Sequence, residues 1–291
     1  MRTLTLEEAI PRPRSLAVGT FDGVHIGHRE VIGSADTVLT FDPHPQAVLA
    51  PAFTPRLLTP LPIKSDLIES LGVEELVIVH FDAEFAAVTA EHFIDEIIID
   101  RIGATSVSIG ENFRFGSHAR GDGALLEADG RLDVRVVPLR ELDGEVVSSS
   151  RIRSLIAAGE VARATGLLGA PFELRGIVVP GDRRGRQLGF PTANLIPQEG
   201  LVCPGHGVYA CFAGDWPSAV SIGVRPTFGT GRAELIEAHL IGFDGDLYGQ
   251  ELRLHFLERL RGERRFETVD ELIDVMHQDV EHARQICASA G

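Results

Sequence analysis

The apolar positions along the chain fall into two textures. Across the first half, short aliphatic runs alternate with stretches whose apolar residues recur at helical spacing. Residues 15–18, 37–41, 76–80, 106–109 and 134–137 read as strands, and residues 64–71 and 91–102 read as helices. The second helix carries Phe93, Ile94, Ile97 and Ile98 on one stripe, and Gly72 and Gly103 follow as expected C-terminal caps. Such alternation predicts a doubly wound α/β domain with a parallel sheet. Ligands in that architecture sit at the carboxyl ends of the strands.

Beyond about Gly169 the pattern becomes strand after strand. Residues 173–179, 207–213, 219–222, 234–241 and 251–257 are strand-like and divided by Gly, Pro and Asp. This predicts an antiparallel barrel or sandwich. Thr268-Val269-Asp270-Glu271 has the form of a capping box, and Leu272, Ile273, Met276 and Val280 form the stripe of a closing helix. The expected boundary lies at Gly169-Ala170-Pro171, giving domains 1–169 and 170–291.

A length of 291 residues accommodates two domains of ordinary size. Hydrophobic content of 44% and charged content of 24% are those of a soluble globular protein. The net charge of -15 argues against a nucleic-acid partner, because phosphate backbones are held by basic surfaces. No apolar run approaches a membrane span and no signal-peptide core opens the chain, so the cytoplasm is the expected location. Cys203, Cys211 and Cys287 lack the paired spacing of a disulfide framework or a CxxC zinc site. Lys64 is the sole lysine, and no Gly-Lys-Ser/Thr phosphate loop occurs.

The densest chemistry follows the first predicted strand, in Gly19-Thr20-Phe21-Asp22-Gly23-Val24-His25-Ile26-Gly27-His28. Glycines permit close approach of backbone to ligand, and imidazoles at i and i+3 share one face of a helical turn. A strand, a glycine-rich bend and a helix start together make an anion site, with Gly19, Phe21, Asp22 and Gly23 as nucleotide-loop candidates. The plainer reading is a tight βα turn with exposed histidines. Phe41-Asp42-Pro43-His44-Pro45 ends the second strand, and Gly110-Glu111-Asn112-Phe113-Arg114-Phe115-Gly116 follows the fourth. Ser148-Ser149-Ser150-Arg151-Ile152-Arg153 runs into a helix, where hydroxyls and exposed N–H groups suit a triphosphate. Ordinary N-capping explains the serines alone. Four loops of this character in one domain are less easily a coincidence.

In the second half, Gly181-Asp182-Arg183-Arg184-Gly185-Arg186-Gln187-Leu188-Gly189 places glycines at four-residue intervals, as an anion nest would. Thr192 and Asn194 follow on one face of an extended segment, so both oxygens can meet one Mg²⁺. Glu237 interrupts a mostly apolar strand. Desolvation there would raise its pKa and suit a general base, whereas a solvent-facing Glu is the plainer alternative. Alternation puts His239 on the same face. Asp244-Gly245-Asp246 reads as a turn, since it lacks the downstream ligands of a calcium loop.

His25-Ile26-Gly27-His28 and the Ser148–Arg153 run resemble the HxGH and SSTxxR signatures of the nucleotidyltransferase superfamily. With the loops at Phe41 and Gly110 added, the first half resembles the adenylyltransferase module of bacterial bifunctional riboflavin kinase/FAD synthetases. Pro191-Thr192-Ala193-Asn194, Glu237-Ala238-His239-Leu240 and Phe243-Asp244-Gly245-Asp246-Leu247-Tyr248-Gly249 resemble that family's riboflavin kinase barrel. Together the likenesses span about residues 15–286, in the family's own order.

The resemblance implies ATP-dependent phosphorylation of riboflavin to FMN, then adenylylation of FMN to FAD with release of pyrophosphate. It implies ATP, riboflavin and FMN as partners, Mg²⁺ accompanying ATP, and a monomer or weak homo-oligomer. His25 and His28 would stabilise phosphate charge, Asn112 would place the phosphates, and Ser149, Ser150 and Arg153 would hold the triphosphate. Thr192 and Asn194 would bind Mg-ATP beside the glycines Gly181, Gly185 and Gly189, with Glu237 as the base. Flavin contacts are implied at Asp42, Pro43 and His44, and at Arg264 in a flap before the last helix. An alternative is a riboflavin kinase carrying an impaired first domain.

One interval departs from the family. Only the eight residues 29–36 separate His28 from the next strand, whereas a helix crossing a sheet takes about 10–15 residues plus a loop. Either the first helix is trimmed, or a stretch of the natural chain is absent from this sequence. The second is expected, because a truncated helix would loosen the histidines.

Overall fold

A computed structural model describes residues 1–181, 189–198, 200–227 and 231–290, with backbone alone at 224–227 and 231–233. Its contacts divide the chain into two compact units, Met1–Ser149 and Ser150–Gly291. In the first unit six parallel strands form one sheet: β1 (Arg2–Thr5), β2 (Arg14–Val18), β3 (Thr37–Asp42), β4 (Glu75–His80), β5 (Ala104–Gly110) and β6 (Asp133–Val137). Their order is β1-β4-β3-β2-β5-β6. The five predicted strands lie within a residue or two of these bounds. β1 escapes prediction because it is an edge strand with no buried residue and hence no apolar run.

Helix details differ from expectation. The helix Leu61–Glu69 ends with Ser70 as its cap, so Gly72 belongs to the turn beyond, at φ 85° with its N–H on the Glu69 carbonyl. The second predicted helix begins as a turn, Ala90–His92, and continues as the π-helical Phe93–Ile102. Gly103 closes it at φ 75°, donating to the carbonyls of Ile98 and Ile99.

The interval behind the histidines folds as a trimmed first helix. A seven-residue helix, Ile26–Ile32, ends at Gly33, whose N–H meets the Arg29 carbonyl at 2.8 Å. Ala35 then bonds back to Ile32 at 2.9 Å, and Asp36 holds both Ser15 N (3.1 Å) and Thr37 Oγ1 (2.6 Å). The trimmed helix is not loose. Ser108 Oγ on β5 donates to the Val31 carbonyl at 2.7 Å, and Arg29 Nε donates to Val24 O at 3.1 Å. Tertiary hydrogen bonds supply what length does not.

A buried ion pair locks the amino-terminal side of this sheet. Arg14 on β2 meets Glu75 on β4 through Nε (3.0 Å) and Nη2 (2.8 Å) and also donates to the carbonyls of Ile10 and Ile102. Burial alone would raise the Glu75 pKa, but hydrogen bonds and charge from Arg14 and Arg12 hold it below the ordinary carboxylate value. Glu75→Ala leaves the Arg14 guanidinium buried without its carboxylate. A loss of about 3–5 kcal/mol is expected, readable as a lowered urea midpoint for the first unit.

After a two-strand hairpin, β7 (Glu141–Leu142) and β8 (Glu145–Val146), come the helices Ser149–Ala158 and Val161–Leu168. The second unit is a closed barrel of β9 (Phe172–Val179), β10 (Ala193–Pro197), β11 (Gly207–Ala213), β12 (Trp216–Thr227), β13 (Gly231–Leu240) and β14 (Glu251–Arg261). Every barrel pairing is antiparallel, in the order β10-β13-β12-β11-β14-β9. β10 is short and flanked by prolines, and Pro217 hides the start of β12. The 22-residue helix Val269–Ala290 packs on β11, β12 and β14. Thr268 Oγ1 caps it by accepting Glu271 N at 3.1 Å, and Glu271 accepts Glu267 N at 3.1 Å. The three cysteines are buried, and none forms a disulfide.

Candidate active sites

Chain order reverses between β2 and β5, which lie side by side while β3 flanks β2 on the other edge. The loops after β2 and β5 therefore border the crevice where doubly wound sheets bind ligands. His25 is the N-cap of Ile26–Ile32, and its Nδ1 accepts the His28 N–H at 3.2 Å. An accepting Nδ1 places the proton of the neutral ring on Nε2, where it can be donated. The His25 and His28 rings stack with centroids 3.5 Å apart at 17°. Phe21 meets His28 edge-on at 5.4 Å. The turn bringing these rings together is tight: Phe21, Gly23 and Val24 have φ of 48°, 91° and 39°. A Cβ on Gly19 would stand 2.9 Å from the Phe21 ring, so this position requires glycine.

Asp22 points into the protein rather than toward a crevice. It is 1% exposed, and its carboxylate accepts the N–H groups of Leu58 and Thr59. Ser149 Oγ donates to the Asp22 carbonyl at 2.8 Å, which fixes the start of its helix to the same loop. Ser150 and Arg153 continue that helix in the second unit, with Arg153 Nη1 donating to Ser150 Oγ at 3.5 Å.

A cavity of about 630 Å³ opens at this crevice. Gly19, Phe21, His28 and Asn112 border it, and Phe41, Phe81, Phe85, Phe93, Phe113 and Phe115 give it an aromatic wall. It meets the loop after β3 at Pro45 and Leu49. His44 caps the short helix Pro45–Leu49, accepting Gln46 N at 3.2 Å, and the Asp42–Pro43 peptide is cis.

In the barrel, strand register assembles what the sequence leaves apart. Asn194 on β10 pairs directly with Glu237 on β13, and Glu237 in turn pairs with Ser221 on β12. Directly opposed residues share a face, so Asn194, Glu237 and Ser221 form one row. Two cavities flank the Thr192 segment, the larger reaching this row at Ser221 and Glu237. One of about 750 Å³ is bordered by Ser221, Glu237, His239, Arg264, Phe266 and the terminal-helix residue Met276. The other, of about 380 Å³, is bordered by Val178, Leu240, Phe243, Leu247 and Tyr248. Thr192 borders both.

His239 Nδ1 donates to the Pro191 carbonyl at 2.8 Å, tying the Thr192 segment to β13. A Cβ on Gly181 would collide with the Asn194 amide, so the backbone closes over that side chain. Gly189 has φ 87°, and Gly185 lies outside the described residues. Arg264 pairs with Glu271 and stands 5.5 Å over the Phe266 ring. Asp244-Gly245-Asp246 is indeed a turn, with Asp246 accepting Tyr248 N at 2.9 Å. Ser221 carried no sequence signal, because only the pairing of β12 with β13 puts it beside Glu237.

A switch-point histidine pair in one domain and a Thr/Asn/Glu constellation in a barrel define a two-domain, ATP-using transferase. Residues 7–151 match the family model for FAD synthetase, and residues 168–287 match that for riboflavin kinase. The chain belongs to the bifunctional riboflavin kinase/FMN adenylyltransferase family. It is 37% identical to the protein of that name from Bacillus subtilis (strain 168), over 92% of this chain and 90% of that one. It is 35% identical to the one from Escherichia coli (strain K12), over 93% and 91%. The Bacillus alignment runs over 287 positions, so that relative carries residues with no counterpart here. Among solved structures, one described as a macrolide-efflux protein from Streptococcus pneumoniae superposes with a TM-score of 0.89 at 31% identity. That match covers 98% of this chain and 99% of the other. No described helix is long and apolar enough to cross a membrane.

Proposed function

We propose that the two activities of the family are divided between the sites described. The barrel transfers the γ-phosphate of ATP to riboflavin, and the histidine site transfers the adenylyl group of a second ATP to FMN. Both domains are present, and the histidine pair is held in place, so an impaired first domain finds no support. The functional division is drawn at Gly169. Ser149 thereby serves the adenylyl site, and Ser150 and Arg153 go with it by their place in the Ser148–Arg153 signature.

In the barrel, the larger cavity holds the flavin under the flap with Arg264 and Phe266, and the smaller one holds the nucleotide. Glu237 accepts the proton of the riboflavin 5′-hydroxyl, the freed oxygen bonds to the γ-phosphorus, and ADP leaves. Thr192 and Asn194 offer hard neutral oxygens that suit Mg²⁺, which keeps most of its own waters and binds with substrate phosphates. Among the described residues no group of three His, Cys, Asp or Glu side chains could hold a metal. Bound there, Mg²⁺ would neutralise phosphate charge.

At the histidine site, an FMN phosphate oxygen bonds to the α-phosphorus of ATP and pyrophosphate leaves. His25 and His28 donate to the charge that develops, and Asn112 steadies the phosphates. The phenylalanine wall takes the flavin ring system, with Asp42, Pro43 and His44 at its margin. The enzyme works in the cytoplasm, as a monomer or weak homo-oligomer.

One observation carries the kinase reading: Thr192 stands between two cavities beside the opposed pair Asn194 and Glu237. Thr192→Val keeps the shape and removes the oxygen. The KM for MgATP in FMN formation should rise about tenfold or more, as for a lost hydrogen bond to a charged group, while FAD formation from supplied FMN is unchanged. An unaltered KM in steady-state assays would remove Thr192 from the nucleotide site.

A further inference from the structure

Residues 58–64 hold the histidine loop, yet none of Leu58, Thr59 and Lys64 borders its cavity. Leu58 N and Thr59 N each donate to Asp22 Oδ1 at 3.0 Å, and Gly23 N donates to Thr59 Oγ1 at 2.8 Å. Lys64 Nζ donates to the Thr20 carbonyl at 2.7 Å and to Thr40 Oγ1 at 3.4 Å, and Thr40 Oγ1 donates to the same carbonyl at 3.2 Å. Lys64 is only 7% exposed. Burial pushes its pKa below the ordinary lysine value, against the opposing charges of Asp22 and Asp42.

Burying an ammonium costs several kcal/mol unless charge and hydrogen bonds compensate. Here the compensating groups are Thr20 and Asp22 in the loop and Thr40 and Asp42 on the neighbouring strand. The loop itself needs such bracing, because Phe21 and Val24 occupy left-handed backbone that non-glycine residues adopt only when the surroundings over-determine it. A compact ammonium offers three donors that can point independently, unlike the planar fork of arginine. In a chain with one lysine, that lysine sits here.

We propose that Lys64 is a positioning residue for adenylyl transfer. It fixes the Thr20–Asp22 bend and so aims His25 and His28 from behind the cavity. The inference rests on the assignment of the His25–His28 loop to that reaction.

Lys64→Met in the full chain tests it. Removing one member of a buried charged cluster is destabilising, so rates are compared well below the variant's own thermal midpoint, where a mere structural prop and a positioning device predict different results. The expected result is a kcat for FAD formation from FMN lowered about tenfold to a hundredfold, the loss of a charge-assisted hydrogen bond. The thermal midpoint should fall, while the KM for FMN and FMN formation from riboflavin hold. A wild-type kcat overturns the proposal, and so does a kcat that falls only in proportion to the unfolded fraction at the assay temperature. His28→Ala, measured alongside, separates the two claims. If it retains FAD formation, the site assignment is wrong; if it loses FAD formation while Lys64→Met does not, only the role of Lys64 is wrong.

Discussion

Glu237→Gln lowers kcat for FMN formation by about 10²–10⁴-fold, the usual contribution of a positioned general base. The amide matches the carboxylate in shape, so the row of Asn194, Glu237 and Ser221 and the walls of both cavities should persist. What disappears is the group that takes the hydroxyl proton. FAD formation from supplied FMN is expected to be unchanged, because the histidine site lies in the other compact unit. Parallel assays of the two half-reactions check this. Comparable FMN formation by wild type and variant would return Glu237 to the status of a half-buried strand residue.

The second large effect is complementary. His28→Ala is expected to lower FAD formation by about 10²–10³-fold, the cost of removing a preorganised donor from a site of developing charge. It also removes the ring stacked on His25 and the partner of Phe21. His25 then loses its stacking partner, which places the expectation toward the upper end. FMN formation from riboflavin should be untouched. A variant that lost both activities in proportion would point to unfolding instead of lost chemistry, and a circular-dichroism melt distinguishes the two.

Much of this was legible before any coordinates. β2, β3 and β4 are interior strands of a parallel sheet, so they read as near-continuous apolar runs, while β5 was marked by Val107 and Ile109 between serines. β1, at the exposed edge, gave no such run. The histidine turn, the serine run and Thr192 with Asn194 were visible because their chemistry is compressed into a few adjacent residues. The alternation that put Glu237 and His239 on one face agrees with their shared cavity.

What stayed hidden depends on contacts distant in sequence. The opposition of Asn194 and Glu237 is a matter of strand register, and a slip of one residue would turn the whole face outward. The grip of residues 58–64 on Asp22 runs largely through backbone N–H groups, which leave no mark on composition. Even the uniqueness of Lys64 did not reveal its partners. The bracing of the short helix after His28 was hidden for the same kind of reason, since Ser108 and Arg29 stabilise a helix whose length alone would not.

The central claim is that one chain carries both reactions in sequence, and a time course of the products tests it most directly. Riboflavin, excess ATP and Mg²⁺ are incubated with the full chain, and the flavins are separated by chromatography at intervals. FMN is expected to appear first, and FAD follows after a lag as FMN is consumed. FMN that accumulates with no FAD at any time, or riboflavin that is never phosphorylated, would contradict it.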